Sequence, residues 1–516
     1  MYINNGQRVN ILDCTLRDGG YYNDWDFEDS VIDSYIESMN GLPVDYLELG
    51  YRNNPGDEYL GKLGYCPVSV LQRIRKNSTK KLAVMLNEKS TTVENLKALL
   101  DPIVGLVDMI RIAVDPKRFD SSVVLAKAIR QRGFEVGFNT MYMSKWKEYE
   151  GFLDKLNVLN GVASLFVMVD SFGGVTPDEV KSIITEVKSK VNCPIGFHGH
   201  NNLQLGLLNT LTAIENGASF VDATILGMGR GAGNLNMELL LTVLSKQGLD
   251  VDFNVLGDAV SVIQPLHSKY NWGTNLPYMI SGANSLPQKE VMAWVTNRTY
   301  SFNSIIRALD NKKNKVADNA RYPIWKAQKS DAALIIGGGD SVVEHLVGIK
   351  EYLNRHQDIV VVFATSRYAD LFKDLINPKI YCLVGNECKR LVSKVSASEF
   401  SGICVLPPYP RTMGTEVSSY AKDFTFELPE IAFTKEYLDS CTTTALKVAI
   451  ELKAETVNIV GYDGYRDTVL SEKEASLTAE NRALFESYKQ FTGKNLVSFT
   501  PSLYKSLVVK SIYQYL

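Results

Sequence analysis

Between residues 9 and 226 one alternation recurs eight times: a short run of β-branched and apolar residues, then a longer stretch with helical period. The short runs are VNILDCTL (9–16), VDYLELG (44–50), KLAVML (81–86), VDMIRIAV (107–114), FEVGFN (134–139), SLFVMVD (164–170), CPIGFHGH (193–200) and FVDATIL (220–226). Apolar runs this short and continuous suit strands covered on both faces. Between them, stretches such as SVIDSYIESMN, TVENLKALLD, SSVVLAKAIRQRG and TPDEVKSIITEVKSKV place apolar residues at i, i+3, i+4 and i+7, one face of a helix. Eight strand–helix units in about 240 residues predict a (β/α)8 TIM barrel. A doubly wound open sheet is the competing arrangement, and it normally has fewer strands.

The pattern changes after residue 250 to a helical region, FNVLGDAVSVIQPLHSKY and NLPYMISGANSLPQKEVMAWVTN. The polar segment LDNKKNKVADNARYPIWKAQKSD (309–331) then reads as a linker. A second strand–helix series follows, with AALIIGGGDSVVEHLVGIKEYL, DIVVVFATSRYADLF, KIYCLVGNECKRLV and ETVNIVGYDGY. The expected division is a barrel with added C-terminal helices over 1–310 and a smaller Rossmann-like α/β domain over 325–516. No internal repeat or low-complexity tract suggests a solenoid.

Charge and cysteine content narrow the function classes. With 55 Lys plus Arg against 58 Asp plus Glu, the net charge of −3 draws in neither nucleic acid nor an acidic membrane surface. The seven cysteines include no C-x-x-C pair, which fits a reducing compartment. The N-terminus lacks the basic and apolar regions of a leader, and no later run approaches the length of a membrane span. A cytoplasmic protein is expected, and assembly into a homo-oligomer is left open.

In such a barrel the chemistry lies at the carboxyl ends of the strands. The first strand runs into Leu16-Arg17-Asp18-Gly19-Gly20-Tyr21-Tyr22 and the seventh ends in His198-Gly199-His200-Asn201-Asn202. Residues i and i+2 of a strand share a side, so His198 and His200 can present both imidazoles to one point. Two imidazoles and one carboxylate suffice to hold a divalent ion with positions left for substrate, which makes Asp18, His198 and His200 the natural triad. The bland reading of an isolated H-x-H is structural, and the strand-end placement argues against it. Arg17 either holds Asp18 in a salt bridge or stabilises an enolate oxygen. Glu48, Arg111, Asn139 and Asp170, with Arg52, Thr140 and Ser171 beside them, are candidates for substrate contact. Glu48 could instead pair with Arg17 or Arg111.

LDCTLRDGG, HGHNN and VDATILGMGRGAGNLNMELL, in that order at three strand ends, resemble the metal-dependent barrel superfamily known as DRE-TIM metallolyases, the HMGL-like group. The resemblance covers roughly the first 300 residues and is nearest in pattern to 4-hydroxy-2-oxovalerate aldolase. It implies that Asp18, His198 and His200 are metal ligands, that Arg17 stabilises an enolate, and that Asn234 is a fourth contact. Two departures stand out. The aldolases carry a histidine, a catalytic base, where this chain has Tyr21, and the turn Gly229-Arg230-Gly231 lacks the cysteine of hydroxymethylglutaryl-CoA lyases.

In the second domain, Gly337-Gly338-Gly339-Asp340 follows an apolar strand and opens a helix, a geometry that gathers backbone N–H groups around a phosphate. The third glycine of a dinucleotide fingerprint would fall on Val342. Gly337, Gly339 and Asp340, with Asp463 in Gly461-Tyr462-Asp463-Gly464, are candidates for an anion or nucleotide site, and a plain strand–helix turn is the competing reading. The remaining cysteines suit buried apolar roles.

The expected activity is that of a class II-type aldolase acting on a 4-hydroxy-2-oxo acid in either direction through a metal-bound pyruvate enolate. Its substrate is a small 2-oxo acid, its ion manganese first, with magnesium or cobalt as alternatives. Tyr21, Tyr22 or a metal-bound hydroxide serves as base. Alternatives are a Claisen-type acyl-CoA-dependent synthase, a non-haem iron oxygenase, and a non-catalytic metal- or nucleotide-binding sensor or scaffold.

Overall fold

A computed structural model describes residues 3–4, 7–57, 59–296, 302–315, 321–411, 416–465 and 472–516. It divides into two compact units, Met1–Met292 and Ala293–Leu516.

The first unit is a closed barrel of eight parallel strands. They are β1 (Asn10–Asp13), β2 (Tyr46–Tyr51), β3 (Lys81–Asn87), β4 (Met109–Val114), β5 (Glu135–Thr140), β6 (Leu165–Asp170), β7 (Ile195–Gly199) and β8 (Phe220–Ala223). Each pairs with the next, and β8 returns to β1 in the register Phe220↔Asn10 to Ala223↔Asp13. Strands β2 and β6 are buried along their whole length, which explains why their sequences are mostly apolar rather than alternating, with Glu48 and Asp170 as the charged exceptions. Helices enter with ordinary chemistry: at Pro177–Lys188, Thr176 and Glu179 form a capping box and Pro177 takes the first turn.

Pleat alternation sorts the barrel interior into layers. Leu12, Tyr46, Met109, Leu165 and Phe220 belong to a buried apolar cluster separate from the larger core made with the surrounding helices. Two positions further along their strands stand Glu48 after Tyr46, Arg111 after Met109 and Asp222 after Phe220. All three are buried. An apolar plug therefore lies beneath a charged layer at the carboxyl ends.

The second unit is an eight-stranded sheet. Its strands are β9 (Ala332–Ile336), β10 (Val360–Phe363), β11 (Lys379–Cys382), β12 (Ile403–Leu406), β13 (Thr425–Glu427), β14 (Thr456–Val460), β15 (Val497–Ser498) and β16 (Val508–Val509). All pairings are parallel, in the order β13-β12-β11-β10-β9-β14-β15-β16. The chain winds one way from β9 to β13 and the other way from β14, so the order reverses between β9 and β14. Apolar clusters cover both faces.

Two expectations differ from this picture. Helix Phe302–Lys313, placed by the sequence with the barrel, lies in the second unit. The segment read as a linker is partly built into that unit as well: the Trp325 N–H donates to Glu427 O at 2.8 Å and Ile324 bridges to the edge strand β13. Trp325 and Ala327 pack on the core there, an apolar contribution that the surrounding charges masked. Residues 316–320 of that segment fall outside the described residues. Among the described residues no helix is long and apolar enough to cross a membrane.

Candidate functional site

Strand β1 ends at Asp13, whose carboxylate accepts from the Tyr35 hydroxyl at 2.6 Å and from Thr15 N at 2.8 Å. These bonds turn the chain into the short helix Thr15–Gly19, which carries Arg17 and Asp18 into the barrel mouth, both buried. Asp18 Oδ1 accepts from Arg17 Nη1 and Oδ2 accepts from Asn234 Nδ2 at 2.6 Å. Burial alone would raise its carboxyl, but the Arg17 guanidinium, with the Asn234 hydrogen bond, outweighs that and holds it below the usual range.

His198 and His200 lie on one side of β7 as their spacing predicts, ring centroids 4.9 Å apart. Each is held by its Nδ1. For His198 the partner is Asp222 Oδ2 at 2.9 Å; for His200 it is the backbone carbonyl of Asp170 at 2.8 Å. Both partners only accept, so each imidazole carries a proton on Nδ1 and turns Nε2 away from that bond. His198 Nε2 faces Asp18 Oδ2 at 3.6 Å. Burial and the neighbouring His198 lower His200 to about 3, so it stays neutral at ordinary pH.

Cys14, Asp18 and His198 offer ligand atoms within 4.8 Å of one another, whereas His200 falls outside that set. The cysteine was not foreseen. Its Sγ lies 3.6 Å from Asp18 Oδ2, and burial pushes its thiol well up, so it serves here as a weak donor. Asn234 Oδ1 is buried without a partner among the described residues, as a group awaiting a ligand would be. Two imidazoles, a carboxylate and an orphaned amide oxygen fit a divalent cation.

The four proposed substrate contacts are all engaged by the protein. Glu48 Oε2 accepts from Arg17 Nε at 2.7 Å and lies 3.1 Å from Arg111 Nη1. Arg111 donates through Nη2 to Asp222 at 2.5 Å and through Nε to Asn139 at 2.8 Å. Asp170 accepts from the backbone N–H of Gly174 and Val175 at 3.2 and 3.3 Å, and burial still pushes it up to about 7. Arg17 keeps Nη2 free of any partner among the described residues. Thr140 and Thr224, at the ends of β5 and β8, each bury an unpartnered hydroxyl.

Asp222 was missed in the sequence although the signal was there. It follows Phe220 by two positions in FVDATIL and so faces the interior beside β7. Burial would raise it, but Arg111 and His198 together bring it down to about 2.

The two tyrosines after Asp18 part company. Tyr21 is 36% exposed, its hydroxyl 3.2 Å from that of Tyr51 and its ring 5.3 Å beneath the Arg230 guanidinium. Tyr22 donates to Gly231 O at 3.4 Å and stacks near Tyr270 and Trp272, and burial pushes its phenol up.

In the second unit, Gly337–Asp340 and Gly461–Gly464 line a cleft of about 740 Å³ at the carboxyl ends of β9 and β14, where the strand order reverses. Asp463 fills the place expected for an anion: it accepts from Ser341 N at 2.9 Å and from the Ser341 hydroxyl. The N–H groups of Gly337 and Gly339 are used by the carbonyls of Val460 and Gly461, both at 2.8 Å. These glycines let two turns approach, since a Cβ on Gly337 would stand 2.6 Å from Gly461 O and one on Gly339 2.6 Å from the Asp463 carboxyl. Asp340 is taken by Arg367 Nη2 at 3.0 Å and the Tyr368 hydroxyl at 2.9 Å. Arg367 and Arg390 line the same cleft.

Comparison with known proteins places these features. Residues 110–262 match the family model described as HMGL-like. A 4-hydroxy-2-oxovalerate aldolase of Bacillus cereus is 31% identical over 271 residues, covering 51% of this chain and 78% of that protein. One from Pelotomaculum thermopropionicum is 32% identical over 274 residues, covering 50% and 77%. Among solved structures, the N-terminal domain of a provisionally assigned aldolase from Bacteroides vulgatus is 65% identical with a TM-score of 0.56, covering 58% of this chain and 100% of that one.

Proposed function

Because this chain belongs to the HMGL-like family, we propose that its barrel is a divalent-metal-dependent aldolase that cleaves or forms a 4-hydroxy-2-oxo acid. An aldolase- or lyase-type reaction is the class that the named relatives support. The observation that carries the metal is the pair of imidazoles tied back through Nδ1 beside Asp18, with no hydrogen bond to either Nε2 among the described residues. Asp18, His198 and His200 would hold the ion, with Asn234 Oδ1 as a further contact, and manganese is the first ion to try. Once bound, the ion would act as a Lewis acid on the carboxylate and keto oxygens of a 2-oxo acid.

The chain's own residues supply the rest. Arg17, clamped by Asp18 and Glu48, keeps one guanidinium nitrogen for the oxygen that becomes negative as a pyruvate enolate forms. Tyr21 is the hydroxyl best placed to move the 4-hydroxyl proton, with Tyr51 as the next member of a two-hydroxyl path. Tyr22 is the poorer candidate, already spent on Gly231 O and raised by burial. Glu48, Arg111 and Asn139 hold Arg17 and His198 in place rather than reaching substrate. The test is metal-dependent pyruvate release by the full chain, lost in Asp18→Asn.

For the second unit, the cleft between the ends of β9 and β14 supports binding of a nucleotide or other phosphorylated ligand. Its anionic end would rest on Arg367 and Arg390, because the glycine turn is already occupied by Asp463. Protection of the full chain against thermal unfolding by such a ligand, reduced in Arg390→Ala, tests this reading.

A further inference from the structure

Six buried side chains at the barrel mouth close into a ring. Starting at Asp18, the contacts run to Arg17 Nη1, from Arg17 Nε to Glu48 Oε2 at 2.7 Å, and from Glu48 Oε2 to Arg111 Nη1 at 3.1 Å. They continue from Arg111 Nη2 to Asp222 Oδ2 at 2.5 Å, from Asp222 Oδ2 to His198 Nδ1 at 2.9 Å, and from His198 Nε2 back to Asp18 Oδ2 at 3.6 Å. All six residues are buried. The ring holds three carboxylates, two guanidiniums and one imidazole, and two of its joins are ion-pair contacts without a hydrogen bond: Arg111 Nη1 to Glu48 and His198 Nε2 to Asp18.

Asp222 is the hinge of this ring, because a single oxygen takes both the imidazole and the guanidinium. We propose that Asp222 is a positioning residue that sets two things together: the orientation of His198 toward a divalent cation, and, through Arg111 and Glu48, the placement of Arg17. On this reading Arg111, which touches no proposed metal ligand by hydrogen bond, governs metal affinity. Independent buried pairs would not couple in this way, whereas a shared oxygen makes any movement of Arg111 a movement of His198's partner.

The inference rests on the metal reading above, and the experiment separates the two. Mn2+ alone is titrated into the chelator-treated full chain, and the free ion is counted from its six-line EPR signal. Asp222→Asn is expected to weaken Mn2+ binding by roughly 10- to 100-fold, the usual range for partners behind metal-ligating histidines. Arg111→Met is expected to weaken it by ~10-fold, and the double variant to bind no more weakly than Asp222→Asn. At saturating Mn2+ the kcat of Asp222→Asn should stay depressed, because Arg111, which braces the Glu48 that holds Arg17, has lost its own anchor. A role in folding alone would lower the melting temperature and leave the Kd for Mn2+ unchanged. Should Asp222→Asn fail to fold, Asn139→Ala removes the brace on Arg111 Nε and leaves every ring member in place; it is expected to weaken Mn2+ binding several-fold.

Mn2+ binding within twofold of the natural chain in the folded variants, or a double variant whose losses multiply, overturns the inference. Failure of the natural chain itself to bind Mn2+ would instead overturn the metal reading.

Discussion

Asn234 Nδ2 lies 2.6 Å from Asp18 Oδ2, so the glycine-rich turn after the last barrel strand is tied to the residue that follows the first. That bond closes the site across the seam where β8 meets β1. Removing it in Asn234→Ala should lower metal affinity by ~10-fold without unfolding the barrel. Equilibrium dialysis against Mn2+, with circular dichroism as the control for folding, checks this.

The proposed ligands and Arg17 should separate cleanly by what each variant loses. Asp18→Asn and His200→Ala are expected to lose both bound ion and turnover. Arg17→Ala should keep the ion and lose roughly 100- to 1000-fold in kcat, as removal of an oxyanion donor does. Metal analysis of each purified variant beside its kinetics decides the matter. Turnover retained in either ligand variant would contradict the triad.

Tyr21 and Tyr22 are adjacent in sequence and differ in surroundings, so their phenylalanine variants should differ as well. Tyr21→Phe is expected to lower kcat by about 100-fold, the lower end for a lost proton-transfer group. Tyr22→Phe, which gives up only a long bond to Gly231 O, should change kcat by less than about tenfold.

Stability should carry a mark from Asp13. Burial pushes its carboxyl up to about 6 despite the bonds from Tyr35 and Thr15. In the unfolded chain it ionises near the ordinary 3.8, so between pH 4 and 6 the folded state binds more protons and stability falls as pH rises. The contribution is fully present below pH 4, lost by about pH 6 and flat above, with an upper limit of roughly 3 kcal/mol. Denaturant midpoints of the chelated full chain at pH 4, 5, 6 and 7 should show a gentler fall in Asp13→Asn than in the natural chain. Parallel curves would contradict the assignment.

The barrel was legible because eight buried parallel strands must each be a short apolar run, and the helices between them show their single apolar face. The proposed ligands were legible for a different reason: polar residues at strand ends interrupt an apolar pattern. What escaped was the pairing around Asp222. Asp222 sits inside an ordinary strand run, and nothing local says that its oxygen will be shared by Arg111, 111 residues away, and His198. Asn139 was read as a substrate contact because a linear reading does not show its partner, Arg111, whereas the pairing of Glu48 with Arg17 and Arg111 was one of the two roles its strand-end position suggested. In the second unit the glycine turn read as an anion cradle, yet Asp463, arriving from another strand end, supplies the negative charge itself.

The central claim is tested most directly by pyruvate release from a panel of 4-hydroxy-2-oxo acids, followed through lactate dehydrogenase, with the full chain in Mn2+, Mg2+, Co2+ or chelator. The account predicts release that requires a divalent ion, is abolished by chelator, and is absent in Asp18→Asn. Release that persists in chelator, or a Mn2+-loaded protein that frees no pyruvate from any member of the panel, would contradict it.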